Sequence, residues 1–140
     1  MSRDWVATVL RVRQLQEDVE RQRLADARRV AQEAHLHVLA HNERLDSMLS
    51  DAEHESVLAF VAAASARHSA AATWAAARHD RAIADDQVTA RTSAVSQAAQ
   101  KRRGVERLAE SRAAEEQARE AQAQQKRLDE IGARPSGDST

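Results

Sequence analysis

Cysteine is absent from this sequence, proline occurs once, glycine three times, and aromatic residues make up 2%. Without cysteine there is no disulfide framework and no thiolate metal site. The same absence leaves the redox compartment open. A β-sandwich or barrel needs turn residues every ~8–12 positions and strands rich in β-branched or aromatic side chains. Neither is present. No apolar run approaches the ~18 residues of a membrane span. The opening MSRDWVATVLRVRQ meets charge within a few residues on both sides of its apolar patch and has no cleavage site. It is therefore not expected to be a signal peptide. A net charge of -1 argues against nucleic acid as the main partner, because phosphate binding needs a basic excess.

What is present favours helix. Of the 140 residues, 31 are Ala, and 31% are charged, with 21 Lys plus Arg against 22 Asp plus Glu. Such a composition reads as long helix or coiled coil. Ser2 suits an N-cap, with Asp4 near the positive helix end. Apolar residues recur at Trp5, Val9, Val12, Leu15 and Val19, predicting a helical stripe. The polar patch Glu20–Arg23 interrupts it. The stripe resumes in a 3,4 pattern at Leu24, Ala27, Ala31, Ala34, Val38, His41, Leu45, Met48 and Ala52. This spacing predicts a seam for a partner helix, with a register slip near residue 21.

Residues 50–56, SDAEHES, carry no large apolar side chain and are expected to form a helix–helix turn. Ser50 or Asp51 would cap the next helix, with Glu53 close behind. The SARHS segment at 65–69 is a rival turn with Ala-rich, helix-favouring flanks. Residues 59–84 contain 13 Ala, together with Phe60, Val61, Trp74 and Ile83. Val88, Val95, Ala98, Val105 and Leu108 continue the pattern more weakly. Gly104 within it should cost about 1 kcal/mol relative to Ala. From Ala109 to Arg127 there is no large apolar residue, and helix would persist there through propensity and pairs such as Glu115 with Arg119. Gly132 and Pro135 are expected to end it.

The expected fold is all-α, a long antiparallel two-helix coiled-coil hairpin. Residues 1–134 would form a single rod, with helix one at about 4–49, the turn at about 50–56 and helix two at about 57–132. Residues 135–140, PSGDST, would be a disordered tail. Helix one would be on the order of 70 Å long, and helix two would overhang it by roughly 20 residues or more. A rod of this kind offers no water-excluded cavity for catalysis.

No chemical constellation stands out. His37 and His41 share a helix face, as do Glu33 and His37, but the hairpin supplies no further ligands for a closed zinc site. Asp85–Asp86 and Glu115–Glu116 are sequence neighbours, so their side chains diverge. No phosphate loop or nucleophile elbow is present. The densest basic cluster, Lys101–Arg103, is followed at once by acids and reads as a solvated face. The expectation is a protein with no enzymatic activity, cofactor or metal. Trp5 and Trp74, like Phe60 and Val61 beside the turn, either fill wide spots in the seam or serve as interface anchors.

Two ends of the chain carry a family resemblance. The stretch WVATVLRVRQLQEDVERQRLADA has an aromatic residue, a leucine–arginine segment and an acidic, Ala/Leu-rich helix, in Trp5, Val9, Leu10, Arg11, Arg13, Glu17, Leu24 and Ala27. The stretch KRRGVERLAESRAAEEQAREAQAQQKRLDEIGAR has a basic run and a leucine before a terminal Gln-Lys-x-x-Asp-Glu segment, in Lys101, Leu108, Arg112, Gln125, Lys126, Leu128, Asp129, Glu130 and Ile131. Both resemble the flagellar export protein family FliJ. The middle departs from it: where that family carries aromatic residues late in helix one and after the turn, this chain has Val38, His41 and Leu45, then Phe60 and Val61 in an Ala block. Gly104 in the basic region is a second departure.

The resemblance implies an antiparallel coiled-coil stalk of the type III export apparatus. Its implied partners are the flagellar export ATPase ring, the membrane export gate protein and export chaperones. Its implied location is cytoplasmic, peripheral at the inner face of the cell membrane. The partner-binding residues expected, from the two matching ends together with the seam and the candidate anchors, are Trp5, Val9, Arg13, Glu17, Val38, His41, Leu45, Phe60, Val61, Trp74, Leu108, Arg112, Gln125, Lys126, Asp129, Glu130 and Ile131. Two other readings remain: a virulence-type secretion stalk, and a membrane-surface or scaffold-forming hairpin of the phage-shock type. The second draws on Arg3, Arg11 and Arg13 set against Trp5, Val6, Val9 and Val12.

Overall fold

The structure is a computed structural model and describes residues 2–50 and 56–133. Two helices account for nearly all of it: α1, Ser2–Ser50, and α2, Val57–Ala133. They pack against each other as a helical hairpin, with no strand among the described residues. Of the expected turn at about 50–56, residues 51–55 lie outside the described residues, as does the tail at 135–140. So do the side chains of Ser2 and Asp4, the expected first cap.

The start of α2 is capped by a residue other than those expected. The Ser56 Oγ accepts from the Ala59 N–H at 3.1 Å, the geometry of an N-cap serine. Ser50 instead ends α1, and its hydroxyl donates back to the Asp46 carbonyl at 2.8 Å.

By its internal packing the chain forms two compact units, Met1–Leu15 with Ala99–Thr140, and Gln16–Ala98. In the second unit the helices run antiparallel. Arg91 Nη1 lies 4.0 Å from Glu20 Oε2, and His35 Nε2 lies 3.0 Å from Asp85 Oδ1. As numbers rise along α1 they fall along α2. On α1 the inward positions are Glu17, Glu20, Leu24, Ala27, Ala31, Ala34, Val38, His41, Leu45 and Met48. This is an unbroken 3,4 spacing, so the expected register slip near residue 21 does not occur.

The predicted N-terminal stripe therefore needs correcting. Trp5, Val12, Leu15 and Val19 are all exposed. The inward line runs through Val6, Val9, Leu10 and Arg13 in the first unit and through Glu17 and Glu20 in the second. Charged residues hold seam positions there because each finds a partner. Glu17, only 2% exposed, has its Oε1 2.6 Å from Arg21 Nη2. Glu20 Oε1 accepts from Arg23 at 2.9 Å. Their aliphatic stems cover the seam while the carboxylates remain compensated.

The core is thin. Its buried apolar members are Val6, Leu24, Ala31, Val38, Ala77, Ala84 and Ala99, and most are alanine. Burial contributes about 25 cal/mol per Å² of apolar surface, so each alanine adds little. What alanine provides is high helix propensity.

Candidate interaction surfaces

In the first unit, α1 and α2 meet at Trp5 and Arg112, whose guanidinium carbon sits 4.7 Å from the indole centroid. A cation over an indole face is attracted by the ring quadrupole. Arg112 is half-buried, and so are Val9 and Arg13. Leu108 is exposed. The α2 positions facing inward are Ala99, Arg102, Val105, Glu106, Ala109, Arg112 and Glu116. Arg102 Nη1 donates to Glu106 Oε1 at 2.7 Å along this line.

Beyond Glu116 the pattern stops. Every side chain from Gln117 to Ala133 is exposed. The contact between Trp5 and Arg112 gives the physical reason. Trp5 lies among the first described residues of α1, and α2 runs on past it. The unpartnered stretch is shorter than expected, because Ala109, Arg112 and Glu116 still face inward. Gln125, Lys126, Asp129, Glu130 and Ile131 all lie in it. Gln125 Nε2 donates to Asp129 Oδ1 at 3.1 Å, one turn apart on the same helix. Leu128 and Ile131 stand open at 62% and 66% exposure. Lys126 and Arg127 precede Leu128, and Asp129 and Glu130 lie between it and Ile131.

In the second unit the remaining candidates separate into two groups. Val38 is buried, Glu17 is buried, and His41 and Leu45 are half-buried in the seam. Phe60 and Val61 lie on the first turns of α2 with more than half their surface open, beside the still more exposed Val57 and Leu58. Trp74 is half-buried, with the Arg78 guanidinium 4.9 Å from its ring centroid. Its Nε1 is buried without a hydrogen-bond partner among the described residues.

Two open grooves run beside the seam of this unit. One, of about 260 Å³, is lined by His41, Arg44 and Met48 opposite Ala66, Ser69 and Thr73. The other, of about 500 Å³, lies between Val30 on α1 and Ile83 on α2. Val30 falls off the predicted seam and is exposed, whereas the outward placement of Ile83, within the predicted Ala block, is not signalled by any pattern there. The rings of His37 and His41 stack at 6.5 Å. Among the described residues, no three His, Asp or Glu side chains converge on a metal position.

No described helix is long and apolar enough to cross a membrane. No curated protein and no solved structure matches the chain. Residues 6–138 match the family described as flagellar FliJ protein. That span takes in α2, α1 from Val6 onward, and each of the surfaces above except Trp5. The chain belongs to the FliJ family, which implies a role in flagellar export.

Proposed function

We propose that this protein is a helical-hairpin stalk of the flagellar export apparatus that binds the export ATPase ring through the outer part of α2. Family membership over residues 6–138 carries the reading. The fully exposed stretch 117–133 gives it physical form. A helix bearing charges of both signs around Leu128 and Ile131 can meet several ring subunits through steering charges and a few apolar anchors, without one deep pocket. In this reading Gln125, Lys126, Asp129, Glu130 and Ile131 belong to the ATPase contact. Phe60 and Val61, with the neighbouring apolar side chains at the start of α2, face the export gate at the inner side of the membrane. Export chaperones are further partners.

The test is direct. The purified chain is expected to be retained by the cognate export ATPase and to raise its turnover. Ile131→Asp with Leu128→Asp should abolish both effects while leaving helicity unchanged. Failure of the unaltered chain to bind or stimulate the ATPase would overturn the proposal.

Peripheral membrane contact has its own supporting observation: Trp5, Val12 and Leu15 are exposed on α1, where burial was expected. Interfacial helices bind by such apolar residues set beside basic ones. Co-sedimentation with anionic vesicles tests this, and loss of binding in Val12→Asp with Leu15→Asp is the expected outcome.

A further inference from the structure

The seam of residues 16–98 has two unlike flanks. On one flank His35 and Asp85 face each other at 3.0 Å and close it with polar groups. On the other lies the groove of about 500 Å³, with Ala27 and Ala84 as its floor and Val30 and Ile83 as its walls. Val30 is 55% exposed and Ile83 48%. Apolar side chains open to this degree on both helices of one groove leave room for further packing.

The ends of this groove carry opposite charge. At one end stand Arg23 and Arg91. They share a single carboxylate, that of Glu20, at 2.9 Å and 4.0 Å. Asp26, at the same end, is already held by Arg29 at 2.6 Å. A positive excess therefore remains. At the other end stands Asp80, exposed. From Asp80 to Arg91 α2 rises roughly 16 Å.

We propose that this groove is a self-association surface, on which a second copy of this chain packs antiparallel. A two-fold axis through its middle reverses the groove's direction. The Arg23–Arg91 end of each copy then faces Asp80 of the other, and Val30 and Ile83 of the two copies meet at the centre. A polar array that complements itself under two-fold rotation is what an isologous contact requires. A helix from an unrelated protein would have to bring matching charges of its own. The inference does not depend on the export reading, which uses residues 117–133.

The surface is small. Stable dimers bury on the order of 1,200 Å² or more in total, so the association should be reversible, with a Kd in roughly the micromolar range. Sedimentation velocity of the full chain across that concentration range is expected to show a monomer–dimer equilibrium. Ile83→Glu, which leaves the seam intact, should weaken it by at least about tenfold. Asp80→Lys alone, and Arg23→Asp with Arg91→Asp, should each weaken it, while a mixture of the two variants restores it as a heterodimer. Since the chain has no cysteine, Ile83→Cys supplies a clean reporter. It should form an intermolecular disulfide on oxidation, while Leu36→Cys, exposed away from the groove, should not. Circular dichroism confirms that each variant remains helical. A chain that stays monomeric throughout, or a dimer insensitive to Ile83→Glu and to charge reversal, would overturn the proposal.

Discussion

Residues 99–116 and 117–133 of α2 are continuous and both rich in Ala and charged side chains, with Arg and Glu more frequent in the first and Gln in the second. In the first segment side chains turn inward at Arg102, Val105, Ala109, Arg112 and Glu116; in the second none does. Composition does not decide this. The presence of α1 opposite the first does. Helix propensity alone makes a long helix, and a partner decides which of its faces becomes a seam.

This contrast can be broken most strongly at the seam itself. Val38 is 8% exposed between the helices. Val38→Asp should cost about 3 kcal/mol or more, since it buries an unpaired carboxylate. Thermal unfolding followed by circular dichroism measures this. Next comes Leu24→Ala, at the same level of burial, with an expected loss of about 2–3 kcal/mol. The matched change on the open stretch, Leu128→Ala, should cost less than about 0.5 kcal/mol. Equal losses at Leu24 and Leu128 would show that residues 117–133 are packed after all.

Gly104 gives a smaller effect of opposite sign. It is exposed, and a Cβ built there meets nothing within 4 Å. Gly104→Ala should therefore stabilise the chain by about 1 kcal/mol through helix propensity and reduced freedom of the unfolded chain. The smallest effect belongs to Asp129→Ala. It removes the bond from Gln125 but also an acid from the last turn of α2 in favour of the best helix former, so the net change should stay within a few tenths of a kcal/mol.

Much of the fold is legible in the sequence. The 3,4 spacing from Leu24 to Met48 is the seam that forms, because apolar residues there keep one face without interruption. The scarcity of Gly and Pro leaves helix as the dominant local structure. Residues 5–20 mislead for a physical reason. Val12, Leu15 and Val19 repeat at helical spacing, yet Arg13, Glu17 and Glu20 take the inward positions. Pattern reading assumes that charge faces water. It cannot see that Arg21 and Arg23 compensate these carboxylates, or that Arg91 comes near from the other helix. The same limit applies to Ser56, one of several polar residues in the turn segment, where only the backbone geometry selects the cap.

The candidate site is legible in part. The lack of large apolar residues from Ala109 to Arg127 points toward the open stretch, but its start after Glu116 depends on where Trp5 meets Arg112. Val30 and Ile83 give no warning of the groove between them. Each belongs to a different helix, and only the register brings them together.

On the proposed reading, α2 beyond Glu116 is unpartnered in the free chain and is covered by the export ATPase. Amide hydrogen exchange across α2, with and without the cognate ATPase, tests it most directly. In the free chain, residues 117–133 should exchange well ahead of residues 99–116 and gain protection when the ATPase is added. Equal protection on both sides of Glu116 in the free chain, or no gain on adding the ATPase, would contradict the claim.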